Sequence, residues 1–205
     1  MKKISFLFIV LFLAPALSSA ANKTILVFGD SLSAAYGLQV ELGWPHLLQQ
    51  KIDTQDLPWQ ITNVSISGET TDGGMLRIDD ALSQYQPDIV ILELGANDGL
   101  RGQSLKNMRN NLQQMIEKSQ AIDAQVVLAG MHIPSNYGKR YTQGFHQSYI
   151  SLSDDYDTVL IPFILEDIAT NQDLLLPDGL HPNAEGQKQM LINVWQYLQP
   201  LVVSP

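Results

Sequence analysis

The sequence predicts an α/β fold: a three-layer α/β/α sandwich around a mostly parallel, five-stranded sheet. Three observations predict it. Short, near-continuous apolar runs recur along the chain, as strands buried on both faces require. Stretches with helical apolar spacing separate them, which calls for crossover connections and hence parallel pairing. Finally, 205 residues of which 45% are hydrophobic suit one compact core.

The strands come in order. TILVFG (24–29), QITNVSI (60–66), DIVILELG (88–95) and QVVLAGM (125–131) read as buried strands, and 159–163 as a weaker fifth. Between the third and fourth, Leu105, Met108, Leu112, Met115, Ile116 and Ile122 recur at helical spacing. Met190, Leu191, Val194, Trp195 and Leu198 repeat the pattern near the C-terminus. His46, within WPHLLQQ, reads as a helix residue.

The first twenty residues read differently. Lys2 and Lys3 precede a run from Ile4 to Leu13 that is too short for a span of about 20 apolar residues, and Ser18-Ser19-Ala20 offers small residues for cleavage. Residues 1–20 are therefore expected to be a signal peptide and 21–205 a single domain, a monomer exported to the periplasm or secreted. Without the leader, 10 basic side chains face 21 acidic ones. Such a surface repels nucleic acid and anionic lipid, so neither a nucleic-acid partner nor a stable membrane association is expected. There is no cysteine, which excludes disulfides, a thiol nucleophile and thiolate metal ligands.

In parallel sheets, sites form beyond the carboxyl ends of the strands. Asp30-Ser31 follows the first run, Ser67-Gly68-Glu69-Thr70 the second and Ala96-Asn97-Asp98-Gly99 the third. A later segment, Pro177 to Asn183, carries Asp178 and His181. Acyl transfer needs a nucleophile, a base, a group that orients the base, and donors for the developing oxyanion. Ser31 can attack, or it can cap a helix. His181 can act as base with Asp178 on Nδ1, or the pair can simply shape a turn. The Ser31 and Gly68 N–H groups and the Asn97 amide can serve as oxyanion donors. Gly68 can instead merely permit a positive φ, and Asn97 belong to a turn. Each signal is weak alone, but together they stand in chain order at successive strand ends.

That set resembles the GDSL, or SGNH, hydrolases. Gly29-Asp30-Ser31-Leu32-Ser33 matches their first block, Gly68 the second, Gly95-x-Asn97-Asp98 the third and Asp178-x-x-His181 the fifth. The likeness is nearest to the branch of bacterial exported thioesterases, lysophospholipases and arylesterases. It runs from about Thr24 to the C-terminal helix and includes Ser65-Ile66-Ser67-Gly68, the stretch Glu93 to Gly102, and Asn136-Tyr137-Gly138. The resemblance implies the flavodoxin-like SGNH fold, with Ser31, Asp178 and His181 as catalytic triad and Ser31, Gly68 and Asn97 as oxyanion hole. It implies a small-molecule acyl ester or thioester substrate and no cofactor or metal. Relatives often carry aspartate where this chain has Glu69, and glycine where it has Ala35. The Gly-x-Ser-x-Gly elbow of the α/β-hydrolases is absent.

An acyl groove is expected along Ile133, Pro134, Tyr137 and Phe145, with Met75, Leu76 and Leu180 opposite. His46, His132 and His146 lack metal-ligand spacing. Glu93, a carboxylate in a buried strand, is expected to be a satisfied group that is either structural or supports the site residues, and not a catalytic acid. Two other readings use the same residues: a carbohydrate O-deacetylase of the same superfamily, and a non-catalytic exported flavodoxin-like ligand-binding protein.

Overall fold

The computed structural model describes residues 23–203, so the expected leader lies outside it. Strand β1 (Lys23–Gly29) is wholly buried from Ile25 to Phe28. Helix α1 (Trp44–Thr54) opens with Pro45, whose fixed φ suits a first turn, and buries Trp44, Leu48 and Ile52 along one face. Strand β2 (Trp59–Asn63) leads to α2 (Thr71–Tyr85), where the Thr70 side chain caps by accepting from the Gly73 N–H. Gly74 in α2 has no room for a side chain: a Cβ there would stand 2.6 Å from Leu94 Cδ1. The glycine lets α2 lie close on the sheet.

Strand β3 (Ile89–Glu93) is buried throughout and passes through Gly95 into the short helix α3 (Ala96–Leu100). Gly95 has φ 111°, open to glycine, and a side chain there would strike the Tyr149 hydroxyl. Helix α4 (Leu105–Gln120), capped by Ser104, precedes β4 (Gln125–Ala129) and α5 (Lys139–Tyr156). Strand β5 (Val159–Ile161) and α6 (Ala184–Val202), capped by Asn183, complete the order.

All five strands are parallel, in the order β2-β1-β3-β4-β5. Helices α1 and α6 pack together on one face, and α2, α4 and α5 on the other. This is the expected three-layer sandwich. The strands stop short of their apolar runs: β2 ends at Asn63, β3 at Glu93, β4 at Ala129 and β5 at Ile161. Edge strands β2 and β5 are also only partly buried, since each has a neighbour on one side alone. In this strand order the chain reverses direction of winding between β1 and β3, and ligands bind at that crevice. Ser31 leaves the end of β1 and Asn97 the end of β3.

Candidate active site

Ser31 follows β1 by two residues and is 8% exposed. Its Oγ lies 2.9 Å from His181 Nε2. The other ring nitrogen, Nδ1, lies 2.7 Å from Asp178 Oδ2. Asp178 Oδ1 accepts the backbone N–H groups of Leu180 (2.9 Å) and His181 (3.0 Å), so the carboxylate sits in the turn it shapes. Those bonds, the His181 N–H foremost, hold the Asp178 carboxyl at about 2, below the ordinary 3.8. The Leu176 N–H donates to the His181 carbonyl at 2.7 Å, and Leu175 bridges Pro182, which fixes this loop before Asn183 starts α6. The Tyr36 ring lies against the imidazole with centroids 4.3 Å apart.

Three candidate donors, on Ser31, Gly68 and Asn97, border the same cavity as His181. Among the described residues, neither the Ser31 nor the Gly68 N–H has an acceptor within the protein. Gly68 has φ 79°, and its carbonyl accepts from Arg101 Nη2 at 2.9 Å. Asn97 Nδ2 donates one proton to Asp30 Oδ2 at 2.9 Å, leaving its second available. The adjacent Asp98 points the other way: it is buried, and its two oxygens accept from the Thr71 N–H (2.9 Å) and hydroxyl (2.6 Å). One residue of the Asn-Asp pair faces the crevice and the other fastens α3 to α2. Such an arrangement can deprotonate a hydroxyl and receive an oxyanion.

Beside Ser31 opens a cavity of about 320 Å³. Apolar side chains, among them Leu32, Leu100, Met131 and Leu165, form most of its wall.

Residues 27–189 match the GDSL-like lipase/acylhydrolase family. The chain is 41% identical to an arylesterase of Vibrio mimicus over 184 residues, 90% of this chain and 92% of that enzyme. It is 37% identical to thioesterase 1/protease 1/lysophospholipase L1 of Escherichia coli strain K12, covering 96% and 92% of the two chains. A crystal structure of the psychrotrophic esterase EstA from Pseudoalteromonas, inhibited by monoethylphosphonate, superposes with a TM-score of 0.85 at 44% identity, covering 89% of this chain and all of that one. The chain belongs to the GDSL-like lipase/acylhydrolase family. It is a hydrolase.

Within this GDSL frame the expected groove residues divide. Ile133, Pro134 and Leu180 line the cavity; Met75, Leu76, Tyr137 and Phe145 do not. Phe145 points inward from α5, wholly buried against Tyr149 and the Gly99 backbone. Leu76 is 88% exposed on the outer face of α2, while Met75 packs against the core. Tyr137 donates its hydroxyl to the Leu100 carbonyl at 2.6 Å and lines a separate cavity with Leu105 and Tyr141. Sequence reading missed Tyr36, Leu100, Met131 and Leu165 as wall residues, because nothing local distinguishes a groove side chain from a core one.

The departures from common GDSL residues also have places. Glu69 pairs with Arg77 of α2 and is nearly buried. Ala35 has φ 54°, a left-handed conformation that explains why glycine suits relatives at this position. His132, another cavity residue, stacks on His146 with centroids 3.8 Å apart and meets the Phe163 edge. Burial first, and then His146, holds the His132 ring below its ordinary range.

Proposed function

We propose that this protein hydrolyses fatty-acyl thioesters and esters, including lysophospholipids and aryl esters, through an acyl-serine intermediate. The observation that carries the reading is the line Asp178–His181–Ser31, with contacts of 2.7 and 2.9 Å.

In the first half-reaction His181 Nε2 takes the Ser31 proton as Oγ attacks the acyl carbonyl. Asp178 holds the ring with Nδ1–H toward itself and stabilises the imidazolium. The oxyanion accepts the Ser31 and Gly68 N–H groups and the free Nδ2 proton of Asn97. The tetrahedral adduct collapses, the C–S or C–O bond breaks, and His181 Nε2–H protonates the leaving thiol or alcohol. Water then gives a proton to His181 as it attacks the acyl-enzyme. Collapse releases the carboxylic acid and returns the proton to Ser31.

An alkyl chain seated in the apolar cavity would gain about 0.8 kcal/mol per buried methylene. That favours fatty-acyl substrates over acetylated sugars, whose acyl group would leave the cavity unfilled. The family match and the 37–41% identical relatives named an arylesterase and a thioesterase support this substrate class. The charged, then apolar, then small pattern of residues 1–20 supports export of a single domain spanning 21–205.

A chain-length series of p-nitrophenyl esters and acyl-CoA thioesters tests the reading. kcat/KM should climb over the first several methylenes. A preference for acetyl groups on sugars would replace it with the deacetylase.

A further inference from the structure

Two of the three oxyanion donors come from separate parts of the chain. Gly68 stands on the loop between β2 and α2, and Asn97 on α3. The Gly68 loop has few supports: Ile66, Ser67 and Gly68 are all exposed, and β2 before them is an edge strand. It forms a tight turn, with the Glu69 N–H donating to the Ile66 carbonyl at 3.2 Å and Gly68 at φ 79°, as a type II turn requires of its third residue. On one side the Ile66 N–H donates to the Gly29 carbonyl at 3.0 Å, and on the other Thr71 is bonded to Asp98. Gly68 itself has a single hydrogen-bond partner among the described residues, Arg101.

Arg101 reaches Gly68 from a locked root. It closes α3, and its own N–H donates to the Asn97 carbonyl at 3.1 Å. Just beyond it, the Gly102 N–H donates to the Gly99 carbonyl and the Gln103 N–H to the Asp98 carbonyl, both at 3.0 Å, with Gly102 at φ 64°. That paired closure around a left-handed glycine is the Schellman arrangement, and it fixes the backbone from which the arginine departs. The Leu100 carbonyl is tied as well, by the Tyr137 hydroxyl. Arg101 therefore joins the two donors: its main chain holds the Asn97 carbonyl and its side chain the Gly68 carbonyl.

The arginine is also unusual in its choice of partner. Arg77 pairs with Glu69 and Arg109 with Asp155. Arg101 has no carboxylate partner among the described residues, in a chain where acidic side chains outnumber basic ones 21 to 12. Carboxylates on the adjoining elements are engaged elsewhere, Asp98 by Thr71 and Asp72 by Asn107 and Asn111. Ordering an exposed arginine costs rotamer freedom, and a charged donor on a carbonyl is strong enough to offset it.

We propose that Arg101 is a positioning residue: it ties the Gly68 turn to α3 and so sets the separation of the Gly68 and Asn97 donors around the oxyanion. The inference rests on the reading of those two donors given under Proposed function. Such donors accelerate the reaction because they are fixed before the charge develops. A turn released from α3 would still admit substrate, but its N–H would no longer be held in place for the transition state. Displacements of about 1 Å cost on the order of 10² in rate.

Two substitutions and one resonance test this. Arg101→Met removes the guanidinium and keeps an unbranched side chain. On an uncharged p-nitrophenyl ester, its kcat per site titrated with phosphonate should fall roughly 10–100-fold with KM little changed. Arg101→Lys keeps a charged donor and should lose less. The Gly68 amide proton reports on the donor itself. In the wild type its NMR resonance should move downfield when phosphonate adds to Ser31, and Arg101→Met should shrink that movement. Wild-type kcat in Arg101→Met, or a loss confined to KM, overturns the proposal. So does an Arg101→Lys enzyme no better than Arg101→Met, or a Gly68 resonance that moves equally in Arg101→Met and wild type. Should Arg101→Met not fold, the same kinetics and spectrum on Arg101→Gln decide. A Gly68 resonance unmoved in the wild type while Ser31 is labelled would instead overturn the oxyanion assignment, and the role of Arg101 with it.

Discussion

His181 Nε2 stands 2.9 Å from Ser31 Oγ although 150 residues separate the two in sequence. The parallel sheet makes the meeting: β1 delivers the serine to its carboxyl edge, and the loop before α6 returns across that edge. Only the Nε2 lone pair can take the serine proton, so the tautomer of His181 decides whether the pair works.

Asp178 Oδ2, 2.7 Å from Nδ1, is the acceptor that would hold the proton on that nitrogen. In Asp178→Asn the side-chain amide would donate to Nδ1 and leave Nε2 protonated toward Ser31. The variant should fold normally and lose roughly 10²–10⁴ in kcat. Because the wild-type carboxyl is held at about 2, the acid limb of the kcat/KM profile should contain no titration of Asp178 above pH 4. A full-rate Asp178→Asn enzyme would show that backbone contacts alone orient the ring.

Asn97→Ala should lower kcat about 10²–10³-fold, or roughly 3–4 kcal/mol of transition-state stabilisation, with KM little changed. Steady-state kinetics on a soluble ester checks this. A loss confined to KM would make Asn97 a ground-state contact.

Its neighbour predicts a different phenotype. Asp98→Ala strands the Thr71 N–H and hydroxyl in a buried setting and should cost about 2–4 kcal/mol of stability. Urea unfolding measures it. An unchanged midpoint would mean that water fully substitutes as acceptor for the two Thr71 donors.

Asp30 makes stability depend on pH in an unusual direction. Its native value of about 6 lies above the ordinary 3.8, so the folded protein holds this proton more tightly than the unfolded chain. The contribution is complete below about pH 4 and is lost as pH rises through 6. Urea midpoints should therefore decline less across that interval in Asp30→Asn than in the wild type. Parallel declines would contradict the shift.

Much of this was legible beforehand, and particular residues show why. The strands announce themselves because Ile25 to Phe28 and Ile89 to Leu92 are buried on both faces and so read as unbroken apolar runs. Ser31, Gly68, Asn97, Asp178 and His181 are legible as a set because each stands at a strand end or in a turn with its own residue pattern. Helix α2 is not: Gly73 and Gly74 weaken its local signal, and the packing against Leu94 that requires Gly74 is tertiary. Phe145 and Leu165 illustrate the same limit. Both are apolar and nearly or fully buried, and only the fold decides that Leu165 borders a cavity while Phe145 fills the core. Glu93 stands out in sequence as a buried carboxylate, but its partners Ser33 and Asp30 cannot be read there because they lie 60 and 63 residues away.

The central claim is that Ser31 alone forms the acyl-enzyme, and covalent labelling tests it most directly. A serine-reactive phosphonate should add once per molecule, with peptide mapping placing it on Ser31, and Ser31→Ala should fold, resist labelling and hydrolyse nothing. A label found on Ser33 or Ser67, or turnover surviving in Ser31→Ala, would contradict the account.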